Sequence, residues 1–262
     1  MSRAITSLTN PTVKAVRALH LRKEREETGQ FLAEGLKIVT EAVELGRAPR
    51  ILLYGAEAAL HPLLRRAQVA TEAAGGEAIE VSREILAKIS RRDNPQTVLA
   101  VFEQAFTPLE SLAPHCAPCW VALEAVRDPG NLGTIVRTAD AAGCGGVILV
   151  GDCCDPYSVE AVRATMGSIF AVKIAKASAA QFVAWRDSWP GSVVGTLLTA
   201  TTDFRAAVYM PPTLILMGNE QAGLTPQLAA LCDVTVKIPM RGRADSLNLA
   251  VATGVMIYAA TN

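Results

Sequence analysis

"CWVALEAVRDPGNLGTIVRTADAAGCGGVILVG", residues 119–151, holds two apolar runs with a helical pattern between them. The runs at 120–125 and 147–150 are short, continuous and rich in Val, Leu and Ile, as in strands buried on both faces. Between them a turn of Asp128, Pro129 and Gly130 leads to Asn131, read as a helix cap. Ile135, Val136, Ala139 and Ala142 then form one apolar helical face that ends at Gly143. Strand, helix, strand is the parallel crossover unit. "GCGGVILVG" superficially resembles a glycine loop for nucleotides, but it follows a helix and precedes a strand, the reverse of the dinucleotide-binding order.

The same rhythm continues toward the carboxyl end. Strand-like runs lie near 171–174, 192–197, 213–217 and 234–238, with helical patterns between most of them, and a closing helix is expected over 246–260. This predicts an α/β fold with a parallel, doubly covered sheet over 119–262, its ligands beyond the carboxyl ends of the strands. Upstream, helices are expected at 10–27, 35–46, 60–73 and 83–89, and strands at 50–54, 78–81 and 97–102. They make a smaller α/β domain, placed at 1–105. "AFTPLESLAPHCAPC" carries three prolines and little periodicity, so 106–118 reads as a linker.

Half of the 262 residues are hydrophobic, enough for a substantial core, and 25 basic residues balance 25 acidic ones. The balance is uneven along the chain. Residues 1–100 carry 15 Lys and Arg against 12 Asp and Glu, and the remainder carries 10 against 13. A mildly basic front half suits an anionic partner such as nucleic acid, although ordinary surface scatter fits the charges equally. No apolar run reaches membrane-spanning length and the first residues lack an apolar signal core, so a cytoplasmic protein is expected. Cys116 and Cys119 form one CxxC, but no second pair or nearby His completes a zinc set, and buried thiols are the preferred reading. His20, His61 and His115 lie outside the strand-end loops, which disfavours a histidine triad or metal site there.

Three strand-end loops carry chemistry. In the first, Arg137 shares a helix face with Gly133 and Thr134, a cation with space beside it that suits a phosphate or a developing oxyanion; a surface pair with Asp140 is the plainer reading. In the second, "LILMGNEQAGLTPQL" (214–228), Gly218 ends a strand where backbone can approach a ligand, and Glu220 is a candidate acid, base or ribose-hydroxyl acceptor. Thr225 and Pro226 there start a helix. In the third, "VKIPMRGRADSLNLAVATGVMIYAA" (236–260), Ser246 is the expected cap of the closing helix and Asn248 is the odd polar residue in its first turn, a ligand-facing group or, more plainly, a second capping group.

N-x-G-x-x-x-R-x-A-x-x-x-G at 131–143, M-G-N-E-x-x-G-L at 217–224 and I-P-M-x-G…S-L-N at 238–248 resemble, in order and spacing, the three motifs of the SpoU (TrmH-like) RNA 2′-O-methyltransferases of the SPOUT class. "AVRATMGSIF" at 161–170 is similar to a segment this family carries between its first two motifs. The front stretch "NPTVKAVRALHLRKEREETGQFLAEGLKIVTEAV" is similar to the substrate-binding domain of many members, a small α/β fold akin to RNA-binding ribosomal proteins. The resemblance implies a carboxyl-terminal domain with a deep trefoil knot, a homodimer, and S-adenosylmethionine bound in the knotted loops. It implies Gly218, Ile238 and Leu247, with Thr196, as cofactor contacts, and Asn131, Arg137, Glu220, Ser246 and Asn248 as the functional polar set. Where many members place a small polar residue two positions after S-L-N, this chain has Ala250.

The resemblance implies Arg137 as the base; because arginine is almost never deprotonated in proteins, the reading preferred on physical grounds is that Arg137 acts electrostatically while the other four orient it and the RNA. Lys14, Arg17, Arg22, Lys23, Arg25, Arg91 and Arg92 form the expected docking group for RNA, with Arg163 a further phosphate contact or a surface salt bridge. The separate front domain favours ribosomal over transfer RNA. A non-catalytic RNA-binding protein on the same scaffold is the reading from another class, and the intact Arg137, Glu220 and Asn248 speak against it.

Overall fold

The computed structural model of the chain describes residues 3–261, which divide into two compact units. The first comprises the chain up to Gln104, joined by Asp155–Phe170; the second comprises Ala105–Cys154 and the chain from Ala171 onward.

The first unit contains β1 (Arg3–Ile5), α1 (Pro11–Ala18), α2 (Arg22–Thr28), β2 (Gln30–Glu34), α3 (Leu36–Glu44), β3 (Ile51–Tyr54), α4 (Pro62–Ala73), β4 (Glu77–Val81), α5 (Arg83–Ser90) and β5 (Val98–Glu103). Its sheet has the order β1-β4-β3-β5-β2, with β2 and β5 paired antiparallel. Asn10 starts α1 by accepting the Thr12 amide at 2.8 Å, with Pro11 at the first helical position. The single helix expected over 10–27 is two. α1 buries the stripe Val13, Val16, and the chain turns extended at Leu21, where the apolar stripe stops and a run of charge begins. Gly29, in the left-handed region at φ +66°, ends α2 and releases β2, a strand the sequence pattern did not signal. Only Phe31, Leu32 and Ala33 are apolar there, too short a run for a period to show.

The second unit contains β6 (Cys119–Glu124), α6 (Pro129–Ala141) and β7 (Gly146–Val150). After an excursion carrying α7 (Val159–Thr165) it resumes with β8 (Lys173–Ala177), α8 (Ala179–Arg186), β9 (Val193–Thr196) and β10 (Thr202–Asp203). It closes with β11 (Thr213–Met217), α9 (Pro226–Ala229), β12 (Val234–Lys237) and α10 (Leu249–Thr261). Its seven strands are all parallel, in the order β10-β12-β9-β11-β6-β7-β8. Every residue of β6, β7 and β11 is buried, which explains their unbroken apolar runs. Each Val, Leu or Ile so buried contributes about 1.5–3 kcal/mol. The Gly145-Gly146 pair serves packing: a Cβ on Gly145 would fall 2.2 Å from the buried Trp120 indole. Gly143, at φ +70°, ends α6 as expected.

The segment expected as a linker, 106–118, is packed in the second unit. Phe106 bridges Ile174, and Leu109 and Leu112 enter the core beside Trp120. Conversely, Asp155–Phe170 lies in the first unit, although its sequence falls between β7 and β8. Asp155 pairs with Arg25 at 2.7 Å, and Arg163 grips Glu34 with two nitrogens at 2.9 and 2.8 Å. Tyr157 stacks on Phe31 at 4.7 Å, and Phe170 meets Phe102 edge-on at 4.6 Å. The chain therefore passes between the units three times.

The Glu34 side chain is 2% exposed, so its charge depends on Arg163. Arg163→Met leaves that carboxylate buried and uncompensated, and we expect a loss of about 3 kcal/mol. The double variant Glu34→Gln/Arg163→Met recovers most of it. Urea unfolding followed by far-ultraviolet circular dichroism checks both; an unchanged midpoint in the single variant contradicts a structural role for the pair.

Candidate active site at the strand ends

β6 lies between β7 and β11, so the chain leaves its carboxyl end in one direction and arrives at β11 from the other. Ligands in open parallel sheets bind at such a switch point. Ala125, in the left-handed region at φ +49°, turns the chain at the end of β6. Asp128 then caps α6, accepting the Asn131 amide at 2.6 Å, with Pro129 at the first helical position. Asn131 is therefore not the cap, contrary to the sequence expectation. It sits in the first turn, and its carboxamide is left for another task.

That task is a chain of hydrogen bonds. The Glu220 carboxylate, after β11, accepts the Arg127 amide at 3.3 and 3.2 Å, the Asp128 amide at 3.2 Å and Asn131 Nδ2 at 3.4 Å. Asn131 Oδ1 in turn accepts Asn248 Nδ2 at 2.9 Å. Asn248 caps α10, its Oδ1 accepting the amides of Ala250 at 2.9 Å and Val251 at 3.3 Å. Each carboxamide thus has its orientation set by its neighbours: a cap must present oxygen to the helix, which turns its nitrogen outward to Asn131, which turns its own nitrogen to Glu220. Ser246, the expected cap, instead donates to Asp245 at 3.2 Å, because α10 begins only at Leu249.

Asn219 supports the arrangement from behind. Its Nδ2 donates to the Ala125 carbonyl at 2.8 Å and to Glu220 at 3.3 Å, and its Oδ1 accepts the amides of Gln221 and Ala222. Sequence reading passed over this residue; its signal was position, between a strand-ending glycine and the acid. Glu124, buried at the end of β6, is a second missed tie, accepting the Thr225 amide at 2.8 Å and hydroxyl at 2.7 Å.

Burial acts to raise the Glu220 pKa, but hydrogen bonds from its own amide, those of Asp128 and Arg127, and the Asn131 side chain outweigh it and hold the carboxyl below its ordinary value. Arg137 stands on the exposed side of α6 and makes no hydrogen bond or ion pair among the described residues; the pairing with Asp140 does not form.

Beside this network lies a cavity of about 420 Å³ at the carboxyl ends of β9, β11 and β12. Thr196, Gly218, Ile238 and Leu247 all line it, and so do Glu220 and Ser246. Asn131, Arg137 and Asn248 do not; Asn131 and Asn248 reach it through Glu220 and the start of α10, and Arg137 has no such link. Leu197, Leu224 and Leu249 add apolar wall, while the loops after β11 and β12 bring main chain to the cavity. Such a lining suits a nucleoside-sized amphiphile. At Gly218 a Cβ would lie 2.0 Å from the Gly223 carbonyl carbon, so the loop closes on itself only with glycine there.

The SpoU rRNA methylase family matches residues 118–258, the whole of this parallel-sheet region. The chain belongs to that family. The MRM3-like substrate binding domain matches residues 10–100. A crystal structure of an AdoMet-bound rRNA methyltransferase from Sinorhizobium meliloti superposes with a TM-score of 0.92 at 49% identity, over 99% of this chain and 97% of the other. The 23S rRNA (guanosine(2553)-2′-O)-methyltransferase RlmP of Bacillus subtilis is 30% identical over 97% of each chain. The 23S rRNA (uridine(2479)-2′-O)-methyltransferase of Streptomyces viridochromogenes is 32% identical over 91% of this chain and 85% of its own.

In this SpoU-family chain the expected basic docking group divides in two. Lys14, Arg91 and Arg92 are exposed and Arg17 is half-buried, with α1 packed on α5. Arg22 and Lys23 are exposed beside Glu26 and Glu27 on their own helix. Arg25 and Arg163 are not available. Arg25 is 4% exposed and bound by Asp155 and the Leu19 carbonyl, and Arg163 is held by Glu34. Cys119 is buried; its contact with Cys144 and then its burial push its thiol well above the ordinary range. Among the described residues no three His, Cys, Asp or Glu side chains gather as metal ligands.

Because its folded pKa is depressed, Glu220 contributes stability that is present above the ordinary carboxylate value and is lost as pH falls through the folded value. A carboxyl-carbon NMR titration is expected to place its midpoint below 4.5, and Asn131→Ala, which removes one donor, is expected to move that midpoint upward. A midpoint unmoved by Asn131→Ala would show that this bond does not form in solution.

Proposed function

We propose that the protein transfers a methyl group from S-adenosylmethionine to a ribose 2′-oxygen of ribosomal RNA. The observation that carries the reading is a carboxylate and two carboxamides locked in one hydrogen-bond chain that borders a nucleoside-sized cavity, with Arg137 exposed further along α6 and in no ion pair among the described residues. The full-length relatives named as 2′-O-methyltransferases of 23S rRNA, and the AdoMet-bound neighbour, support the substrate class and the cofactor. The cavity fits that cofactor: Gly218 lets the loop after β11 close tightly on Gly223 and form the cavity wall, and the leucines offer apolar wall for a purine. Thr196, Gly218, Ile238 and Leu247 would hold it, and its sulfonium methyl supplies the electrophile.

The remaining work falls to the chain's own groups. Arg137 serves as a cation, gripping RNA phosphate and stabilising the 2′-oxygen as negative charge develops. Glu220 is ionised and its oxygens already accept four separate N–H groups, so it positions, and the 2′-hydroxyl proton leaves to solvent at this exposed site as the methyl is transferred. Asn131 and Asn248 transmit that positioning to the starts of α6 and α10. Ser246, on the cavity wall, faces the approaching ribose.

The same reading includes the family's knotted carboxyl-terminal segment, a homodimer and a cytoplasmic location. α10 supports the dimer, since it is apolar around its whole circumference and leaves Val251 and Tyr258 exposed. No helix among the described residues is long and apolar enough to cross a membrane.

Arg137→Ala is expected to leave S-adenosylmethionine affinity unchanged by calorimetry and to lower 2′-O-methylation of deproteinised 23S rRNA by about 100-fold or more. Undiminished turnover overturns the assignment. Gly218→Ala is expected to act oppositely, abolishing measurable cofactor binding because its Cβ displaces the Gly223 backbone; retained affinity would mean that this loop does not shape the cofactor site.

A further inference from the structure

The second unit carries nine Lys and Arg against ten Asp and Glu, so it offers an RNA strand no net attraction. The distribution of its cations is another matter. Arg127, Arg186 and Arg205 are ion-paired with Asp152, Asp233 and Asp203, and Lys176 lies over the Phe106 ring. Five cations make no hydrogen bond or ion pair among the described residues: Arg137, Lys173, Lys237, Arg241 and Arg243. Lys173 begins β8 and so lies at the amino end of the sheet. Lys237 lines the cavity, Arg241 and Arg243 lie on the loop between its lining residues Met240 and Ser246, and Arg137 lies along α6, which starts at the carboxyl end of the sheet.

Arg241 and Arg243 stand closest together, separated only by Gly242, on the loop between β12 and α10. That loop is anchored at both ends. Met240 and Ser246 line the cavity, and Asn248 fixes the loop's exit by bonding Asn131 and capping α10. Residues 241–248 are exposed between those anchors. The carboxylates within reach are already engaged. Asp203, which feels the charge of Arg241, is held by Arg205 through nitrogens at 3.0 and 2.6 Å, and Asp245 accepts from Ser246. The backbone of the loop thus carries two exposed guanidinium groups between two residues of the cavity wall, and neither makes a hydrogen bond or ion pair among the described residues. A ribose delivered to the cavity mouth brings a phosphate on each side.

We propose that Arg241 and Arg243 form a two-point phosphate grip that seats the RNA strand across the cavity mouth, on the backbone flanking the nucleotide presented to Arg137. The inference rests on the reading of the site as an RNA methyltransferase. It differs from the docking group of the first unit in purpose: that group recruits the RNA, and this pair sets the register of one nucleotide at the reacting centre. Phosphate contacts position a strand without reading its sequence.

The test uses the full chain, an in-vitro transcript of bacterial 23S rRNA, and the Arg241→Gln/Arg243→Gln double variant. Filter binding across 50–200 mM salt gives the slope of log affinity against log salt. Loss of two phosphate contacts is expected to make that slope shallower by about 1.4–1.8. KM for the transcript is expected to rise about tenfold, with S-adenosylmethionine affinity within about twofold of the parent. Arg241→Lys/Arg243→Lys is expected to restore the slope, since a phosphate accepts either cation. An unchanged slope overturns the grip, and a fall in cofactor affinity with an unchanged slope assigns the loop to the cavity instead. If the parent chain binds the transcript but labels no 2′-oxygen while the variant's slope still falls, the grip stands and the methyltransferase reading fails. If the parent methylates and the slope does not move, only the grip fails. If the parent neither binds nor methylates the transcript, both fail.

Discussion

The site depends on one carboxylate accepting N–H groups from a loop it does not belong to. Glu220 follows β11, whereas Arg127 and Asp128 follow β6, and the amides of the second loop close on the oxygens of the first. At a switch point the two chains run away from one another, so nothing in the sheet ladder holds these loops together. A charged acceptor does so with stronger bonds than a neutral one. Everything else is registered to it. Asn131 is held by Glu220, Asn248 by Asn131, and the start of α10 by Asn248.

A carboxylate placed in this way could have been neutralised by an arginine. It is satisfied instead by backbone amides and by the carboxamides of Asn131 and Asn219. The first unit shows the opposite solution. Glu34 and Asp155 are each matched by a guanidinium, and Arg163 and Arg25 are thereby committed to structure. The chemistry of the donor decides what remains. An N–H dipole satisfies the oxygen lone pairs and leaves no cation committed, so Arg137 on the same helix keeps its whole charge for a ligand.

The parallel sheet was legible because strands buried on both faces must be apolar throughout, and β6, β7 and β11 have little else. Thr196, Gly218, Ile238 and Leu247 came from the motif resemblance and not from periodicity, and the structure brings all four to the wall of one cavity. The polar set was legible as residues but not as roles. Asn131 and Ser246 both occupy positions where a cap is plausible, and only the three-dimensional start of each helix shows that Asp128 and Asn248 hold those places. β2 escaped because three apolar residues carry no period. The fate of Arg25 and Arg163 escaped because their partners lie 130 and 129 positions away, beyond any local pattern. Charge type was visible in the sequence, while charge commitment was not.

Commitment is what distinguishes a functional cation from a structural one in this chain. Arg25 and Arg137 are the same residue type on comparable helices. One is buried against Asp155 and a backbone carbonyl, where removing its charge would strand an acid; the other is exposed, on a helix whose first turn helps satisfy an acid with neutral donors. An exposed guanidinium without an ion pair adds little to folding stability, because a surface charge is nearly as well solvated in the unfolded chain. Its energetic value appears only when an anion arrives and sheds water against it. Arg241 and Arg243 are of this kind, on the loop after β12 in a unit that has no net positive charge, and Arg127, Arg186 and Arg205 of that unit are paired. Overall composition therefore understates the affinity of this surface for a polyanion, and the local count of unspent charge is the better measure of where the RNA backbone lies.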